Sequence, residues 1–263
     1  MAWSERQQAM LAEMGLRVWF PHPQSLRADD DTPLPPAARG EGEAAASPAV
    51  TLPSVAAAPV RMVTLGARAT GVDTMDWPTL REAVVGCTAC KLCEGRRQTV
   101  FGVGHEQAHW MVVGEAPGEQ EDRQGEPFVG KSGQLLDSML RAIGLTRAPE
   151  EAARQVYIAN TIKCRPPGNR NPEPDELAQC EPFLIRQVAL VRPKIILAMG
   201  RFAVQSLLRS SEPIGRLRGR VHQYQGVPLI VTYHPAYLLR NLDDKAKAWD
   251  DLCLALQTAQ AAA

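Results

Sequence analysis

Apolar residues follow two alternating patterns along the chain after position 76. Four short apolar runs are typical of strands, at residues 110–113, 156–162, 195–199 and 229–232. Residues 134–143, 175–191, 202–208 and 245–256 instead carry apolar side chains at helical spacing. Strands alternating with helices of this length indicate an α/β fold with a parallel sheet covered on both faces. Such sheets bind ligands beyond the carboxyl ends of their strands, so we look for chemistry there.

The pattern changes near Trp77. Residues 23–76 are rich in Pro, Ala, Gly and Asp, and they hold too little bulky apolar surface to offset the entropy of ordering them. We therefore predict a disordered N-terminal extension at residues 1–76 and one folded domain at residues 77–263. Residues 4–19 of the extension predict a short helix. It is either a stray amphipathic segment or a peptide that docks an unknown protein through the apolar residues 18–20.

Charge narrows the class of protein only slightly. Residues 1–76 carry 6 Lys and Arg against 9 Asp and Glu, and residues 77–263 carry 23 against 20. A small positive excess in the domain excludes a protein that coats nucleic acid, so any such binding needs local clusters. No apolar run approaches the roughly 18–20 residues that span a bilayer, and Glu5 and Glu13 are not typical of a signal peptide. We expect a cytoplasmic protein with no membrane contact.

The six cysteines indicate a metal site before disulfides, because thiols stay reduced in that compartment. Five lie in two groups: Cys87, Cys90 and Cys93 at C-x2-C-x2-C spacing, then Cys164 and Cys180 with fifteen residues between them. Thiolates at these spacings can surround either zinc or a [4Fe–4S] cluster, and spacing does not separate the two. A third interpretation is a set of unliganded buried thiols. Cys253 has apolar helical neighbours, and we assign it to the core.

Two predicted strands end in loops with candidate chemistry. The first loop, residues 114–122, reads G-E-A-P-G-E-Q-E-D. Its glycines and proline let the backbone approach a ligand, with N–H groups free to face an anion, although an acidic surface turn has the same composition. The fourth strand ends in H-P-A-Y-L-L-R at residues 234–240. A lone histidine is usually structural, but the position of His234 at a strand end favours a functional role.

Residues 125–132 match the phosphate-loop pattern G-x4-G-K-S. We reject a nucleotide site, because that motif needs a strand running directly into it and residues 119–124 are all polar. Proline and phenylalanine also occupy the interior of the loop, where a phosphate cradle favours small residues.

Several motifs together resemble one family. They are C-x2-C at Cys87 and Cys90, G-E-A-P-G-E-Q-E-D at 114–122, G-x-P-F-V-G at 125–130, N-T-I-K-C-R-P-P at 160–167, Cys180, and H-P-A-Y-L-L-R at 234–240. This set, over residues 77–255, resembles the family 4 uracil-DNA glycosylases, the iron–sulfur members of their superfamily. The resemblance implies a three-layer α/β/α sandwich around a four-stranded parallel sheet.

The resemblance also implies a cofactor. It places a [4Fe–4S] cluster on Cys87, Cys90, Cys164 and Cys180, and it leaves Cys93 as a bystander. A related branch that bonds covalently to DNA carries an inserted basic loop with a histidine before the third cluster cysteine. Residues 160–164 leave no room for that insertion, so a glycosylase that turns over is favoured.

The resemblance also implies catalytic and binding roles for the residues of this chain that match the family's motifs. Uracil must leave the base stack to be cut, so the resemblance implies that Phe128 stacks on the flipped base and Asn160 reads its edge. His234 would stabilise charge on the uracil O2, with help from backbone N–H groups near Gly114, Ala116 and Gly118. Another branch has an aspartate where Ala116 stands. The candidates to position the attacking water here are Glu115 and Glu121.

Contacts to DNA are expected from two kinds of residue. Leu238 is the predicted wedge that fills the gap left by the flipped base. The predicted phosphate contacts are arginines, chiefly Arg165, Arg218 and Arg240, with Arg170, Arg216 and Arg220 as further candidates.

The expected partner is uracil-containing DNA, and the expected state is a monomer. Two rival functions stay open. One is an inactive iron–sulfur protein of the same fold that only binds nucleic acid, and the other is a binding module stapled by zinc.

Overall fold

The computed structural model describes residues 65–261, in which six strands form one sheet. The strands are β1 Val103–Gly104, β2 Trp110–Gly114, β3 Tyr157–Asn160, β4 Ile195–Met199, β5 Val221–Tyr224 and β6 Val227–Thr232. Their order is β1-β3-β2-β4-β6-β5. The four central strands pair in parallel, and the edge strands β1 and β5 are antiparallel to their neighbours. The predicted four-stranded parallel sheet is therefore confirmed as the centre of a larger sheet.

Helices cover both faces of the sheet. In the described part of the chain they are α1 Trp77–Val85, α2 Leu92–Gly95, α3 Glu119–Gln124, α4 Lys131–Ala142, α5 Pro174–Val191, α6 Arg201–Leu208, α7 Ile214–Leu217, α8 Pro235–Leu238 and α9 Asp244–Ala261, with 3-10 turns at Val72–Thr74 and Pro167–Asn169. Alternate residues of β2 point to opposite layers. Val112 packs in the cluster that contains Leu136 of α4, and Val113 packs with Leu184 of α5. This arrangement confirms the three-layer α/β/α sandwich.

Both central strands β2 and β4 are buried at every position. A strand covered on both faces is apolar throughout, which explains why both were visible in the sequence. The edge strands were missed for a physical reason. β1 is two residues long, and β5 reads Val-His-Gln-Tyr with only its last residue buried, so neither has an apolar run.

The structure describes only part of the predicted N-terminal extension, from residue 65 onward. Residues 4–19 and their predicted helix lie outside the described residues. Packing begins ahead of Trp77, because Val72 is buried in a cluster with Leu80, Val84 and Phe183. The division at residue 76 stays a prediction. Among residues 65–261, none of the helices combines the length and apolar character needed to cross a bilayer.

Candidate functional site

Strand register brings two predicted site residues together. Gly114 ends β2 and pairs with Asn160, which ends β3. A Cβ atom added to Gly114 would lie 2.4 Å from Asn160 Oδ1 and 2.6 Å from Phe128 Cζ. Only a glycine therefore lets the amide of Asn160 and the ring of Phe128 converge over the end of the sheet.

A strained loop carries Phe128. Its φ of 56° lies in the left-handed region, which is uncommon for a bulky residue and is often found at functional sites. Two contacts hold this conformation. A Cβ on Gly133 would fall 1.7 Å from the Phe128 carbonyl oxygen, so the loop packs directly on the backbone of α4. The backbone N–H groups of Val129 and Gly130 donate to Glu121 Oε1 over 3.0 and 3.4 Å.

His234 follows β6 and faces the same place. Its ring stacks against Phe128, with ring centroids 5.3 Å apart. The backbone N–H of Ala236 donates to His234 Nδ1 over 3.1 Å, so the neutral ring carries its proton on Nε2. Desolvation, aided by the charge of Arg240, lowers the pKa of His234 to about 4. The side chain is thus a neutral hydrogen-bond donor near neutral pH.

These residues line one cleft of about 900 Å³ at the carboxyl ends of the strands. Among the predicted site residues, the cleft is lined by Glu115, Ala116, Gly118, Glu121, Phe128, Asn160, Arg170, His234 and Arg240. Gly114 lies beneath Asn160 and Phe128 instead of on the lining. Sequence reasoning missed Arg201, Tyr233 and Tyr237, which also line the cleft. The two tyrosines stack with centroids 5.1 Å apart.

The predicted metal ligands converge at a second place. Cys87, Cys90, Cys164 and Cys180 line one small cavity behind β3, and Cys93 lines it as well. Burial raises the pKa of Cys164 to about 11 and that of Cys180 to about 12. Thiolates in such surroundings need a compensating positive charge. Arg96 Nη1 supplies one by donating to Cys164 Sγ over 3.0 Å, a contact that sequence reasoning missed.

The donor atoms that line this cavity limit the kind of metal site it can form. Within residues 65–261, no three His, Cys, Asp or Glu side chains form a group that could hold a single ion. The five thiols line one space, and a donor set made only of sulfur suits a [4Fe–4S] cluster as well as zinc. The residues therefore fit a cluster, and all five cysteines line the cavity that would hold it. Cys253 packs against the core on α9, as expected.

Comparison with known proteins identifies the family. The model of the uracil-DNA glycosylase superfamily matches residues 101–253. The chain belongs to this superfamily. It is 43% identical over 171 residues to the type-4 uracil-DNA glycosylase of Sulfurisphaera tokodaii, covering 62% of this chain and 75% of that protein. It is 42% identical over 164 residues to the type-4 uracil-DNA glycosylase of Archaeoglobus fulgidus, covering 59% of this chain and 79% of that protein. The resemblance to family 4 is confirmed.

The two carboxylates predicted to position water in this glycosylase-family cleft are both engaged with the protein. Glu115 Oε1 accepts from the backbone N–H of Phe202 over 2.9 Å, at the first turn of α6, and burial raises the Glu115 pKa. Glu121 Oε2 accepts from the backbone N–H of Gly118 over 3.1 Å. These contacts give both residues a positioning role in the loops. Their role toward water stays a prediction.

The predicted DNA wedge of the glycosylase domain needs a correction. Leu238 is 0% exposed and lies in the core cluster, so it cannot enter a base stack. Leu239, the next residue, is 42% exposed. The short helix α8 turns Leu238 inward and leaves Leu239 as the apolar side chain at this turn that reaches solvent. The motif L-L offered two candidates, and only the fold separates them.

The three main predicted phosphate contacts differ in their surroundings. Arg240 is exposed and lines the cleft. Arg218 pairs with the buried carboxylate of Asp251, its Nη2 lying 3.0 Å from Oδ1, and this contact favours a structural role. Arg165 Nε donates to Asn169 over 2.8 Å, and Nη2 lies 3.5 Å from Glu119. Arg240 is therefore the best placed of the three to meet a phosphate.

Proposed function

We propose that this chain flips uracil out of DNA and hydrolyses its N-glycosidic bond, the opening step of base excision repair. One observation carries the proposal. In a chain of the uracil-DNA glycosylase superfamily, an amide, an aromatic ring and a neutral histidine meet over Gly114 in one cleft. The amide can hydrogen-bond to the edge of a flipped pyrimidine, the ring can stack on its face, and the histidine can stabilise the negative charge that develops on it.

Asn160 supplies base selectivity. Its amide NH2 donates to uracil O4, and its amide oxygen accepts from uracil N3–H. Cytosine presents the reverse pattern, with an amino group at C4 and an unprotonated N3. Because Asn160 is buried, each mismatched group would be left unpaired at a cost of about 1–3 kcal/mol. The strained loop of Phe128 holds the ring in a position where it can stack on the planar base.

His234 assists bond cleavage. As the glycosidic bond breaks, the sugar gains cationic character and uracil leaves as an anion. The Nε2–H of neutral His234 donates to the charge that develops on O2, together with backbone N–H groups of residues 114–118. The water that completes hydrolysis is positioned by Glu115 or Glu121, each of which lines the cleft. Leu239 fills the gap in the base stack, and Arg240 contacts a phosphate.

A [4Fe–4S] cluster on Cys87, Cys90, Cys164 and Cys180 completes the proposal. When bound, the cluster ties together the loop after α1, the segment after β3 and helix α5, and it takes no redox step in the reaction. The cysteines then draw three distant segments around the end of β3, which carries Asn160. We further propose a monomer that acts in the cytoplasm, with an N-terminal extension that docks another protein.

Uracil release is the direct test. Anaerobically purified protein is incubated with oligonucleotides that carry one uracil or one thymine, and free base is measured. We expect release of uracil alone, from a protein with iron–sulfur charge-transfer absorbance in the visible range. A coloured protein that binds the oligonucleotide without releasing base would be the inactive rival. A colourless protein that contains zinc would be the stapled binding module.

The neutral state of His234 predicts a pH effect on stability. Between its unfolded pKa of about 6.5 and its folded pKa of about 4, the unfolded chain binds a proton that the folded chain does not. The free energy of unfolding should therefore fall as pH drops through this window, by at most about 1.4 kcal/mol per pH unit. Denaturant unfolding of wild type and His234→Gln at several pH values measures it. Parallel curves for the two proteins would contradict the assignment.

Leu239 and Leu238 form a matched pair for the wedge. Leu239→Ala should slow uracil excision from duplex DNA by about 10-fold and leave single-stranded DNA little affected, because only a duplex needs its gap filled. Leu238→Ala should instead lower the free energy of unfolding by about 2–5 kcal/mol through a core cavity. Single-turnover excision and thermal unfolding separate the two effects. Equal duplex rates for Leu239→Ala and wild type would remove Leu239 from the wedge role.

A further inference from the structure

Lys163 is a charged side chain in an unusual place. It is 1% exposed, and its Nζ donates to the Asn160 carbonyl oxygen over 2.8 Å and to Gln187 Oε1 over 2.6 Å. Within the part of the chain that the structure describes, no carboxylate lies within ion-pair distance of Nζ. Both of its acceptors are neutral. A buried ammonium without a counter-charge is unfavourable, and burial lowers the pKa of Lys163 to about 8, so a negative group beside it would stabilise the charged form.

The cysteine cavity provides that negative group. Lys163 lines the cavity beside Cys164 and Cys180. A cluster held by four thiolates would carry net negative charge beside Lys163. Lys163 thus contacts both the cysteine cavity and the main chain of Asn160 at the end of β3.

Helix α5 fixes the position of this ammonium. Gln187 and Cys180 are seven residues apart on α5, which puts them on one face of the helix. Gln187 is fully buried, and its Nε2 donates to the Phe101 carbonyl over 2.9 Å and to Tyr157 Oη over 3.1 Å. With its amide held at both ends, Gln187 presents Oε1 to Lys163 in one orientation.

We propose that Lys163 is a positioning residue: it is the buried counter-charge of the cluster, and through the Asn160 carbonyl it holds the amide that reads uracil. This inference rests on the proposed function, and it assigns the cluster a role in orienting Asn160. Binding of the cluster stabilises the ammonium, and the ammonium fixes the end of β3. Loss of either would leave Asn160 less well oriented without removing any group that touches the base.

The test compares Lys163→Met with Lys245→Met. Methionine keeps the apolar length of lysine and removes the charge and the donors. Lys245 is a second nearly buried lysine, 6% exposed on α9, and the cavity lining does not include it. Two quantities are measured on cluster-loaded protein. One is the midpoint potential of the cluster, and the other is the affinity for an oligonucleotide with an uncleavable 2′-fluorinated deoxyuridine relative to the same oligonucleotide with thymidine.

Lys163→Met should change both quantities, and Lys245→Met should change neither. Removal of a nearby cation disfavours the more negative reduced cluster, so the midpoint potential should fall. The preference for uracil should drop by about 10-fold as the charged hydrogen bond to the Asn160 carbonyl is lost. A lowered potential with full uracil preference would refute the link to Asn160. A lost preference at unchanged potential would refute the counter-charge role.

Gln187→Met provides the test if Lys163→Met does not fold. It keeps the ammonium and removes one of its acceptors, so the potential should hold while the uracil preference drops about 3-fold. Full uracil preference in Gln187→Met would overturn the proposal. Failure of the proposed function looks different, because wild-type protein would then lack either uracil release or visible absorbance before any variant is compared.

Discussion

Replacing Asn160 with Asp is expected to slow uracil excision by about 10²-fold or more. The carboxylate can only accept hydrogen bonds, so it meets uracil O4 with a repulsion where the amide donated. The contact to O4, worth about 1–3 kcal/mol, is lost, the repulsion adds a penalty of about the same size, and each 1.36 kcal/mol is a factor of ten. The exchange nearly preserves shape. The pairing of β3 and the bond from Lys163 Nζ, which goes to the Asn160 main chain, should survive.

Cytosine should respond in the opposite sense. Its N4 amino group donates to a carboxylate, so Asn160→Asp should bind a flipped cytosine better than wild type does. Weak excision of unpaired cytosine is expected, limited by the poorer leaving ability of that base. Single-turnover cleavage of oligonucleotides carrying either base gives both rates for each protein.

Asn241→Asp is the matched control for the added charge. Asn241 is exposed, donates from Nδ2 to the Tyr237 carbonyl over 3.0 Å, and does not line the cleft. Its substitution should change uracil excision by no more than a few-fold. Near wild-type excision by folded, cluster-loaded Asn160→Asp protein would remove Asn160 from base recognition.

The sequence predicted the strands and helices whose buried positions form a recognisable pattern of apolar residues. Strands β2 and β4 are apolar at nearly every position because helices cover both faces, and α5 begins and ends within one residue of its predicted bounds. β5 left no such pattern, since most of its side chains face solvent. The same reasoning explains the site. The end of each parallel strand was a place to search, and Gly114, Asn160 and His234 all lie there.

The remaining features depend on which way a side chain points, and sequence pattern does not carry that information. Leu238 and Leu239 are identical in type, yet one is in the core and the other is exposed. Lys163 stands beside a cysteine in the sequence, but its burial and its bond to Asn160 follow from the turn after β3. Arg218 resembles a phosphate contact until its partner Asp251, 33 residues away, is seen.

Cys164→Ser is expected to bleach the protein and reduce its solubility. Cys164 is buried in the cavity wall, and Arg96 donates a hydrogen bond to its sulfur. Serine is a poor ligand for iron, so the cluster should be lost, and with it the crosslink between the loop after α1 and helix α5. Uracil excision should fall at least about 10²-fold, because structural metal sites contribute directly to folding free energy.

Cys93→Ser is the matched comparison, since Cys93 lines the same cavity but is more exposed than Cys164. The ligand set Cys87, Cys90, Cys164 and Cys180 predicts that this variant keeps its visible absorbance, its iron content and its excision rate. Absorbance per protein and iron analysis of anaerobically purified samples measure the difference. Five thiols line the cavity and a [4Fe–4S] cluster binds four. The result therefore shows whether Cys93 is the cysteine that does not bind iron. If Cys93→Ser loses its colour while Cys87→Ser or Cys90→Ser keeps it, Cys93 is a ligand and the proposed set is wrong.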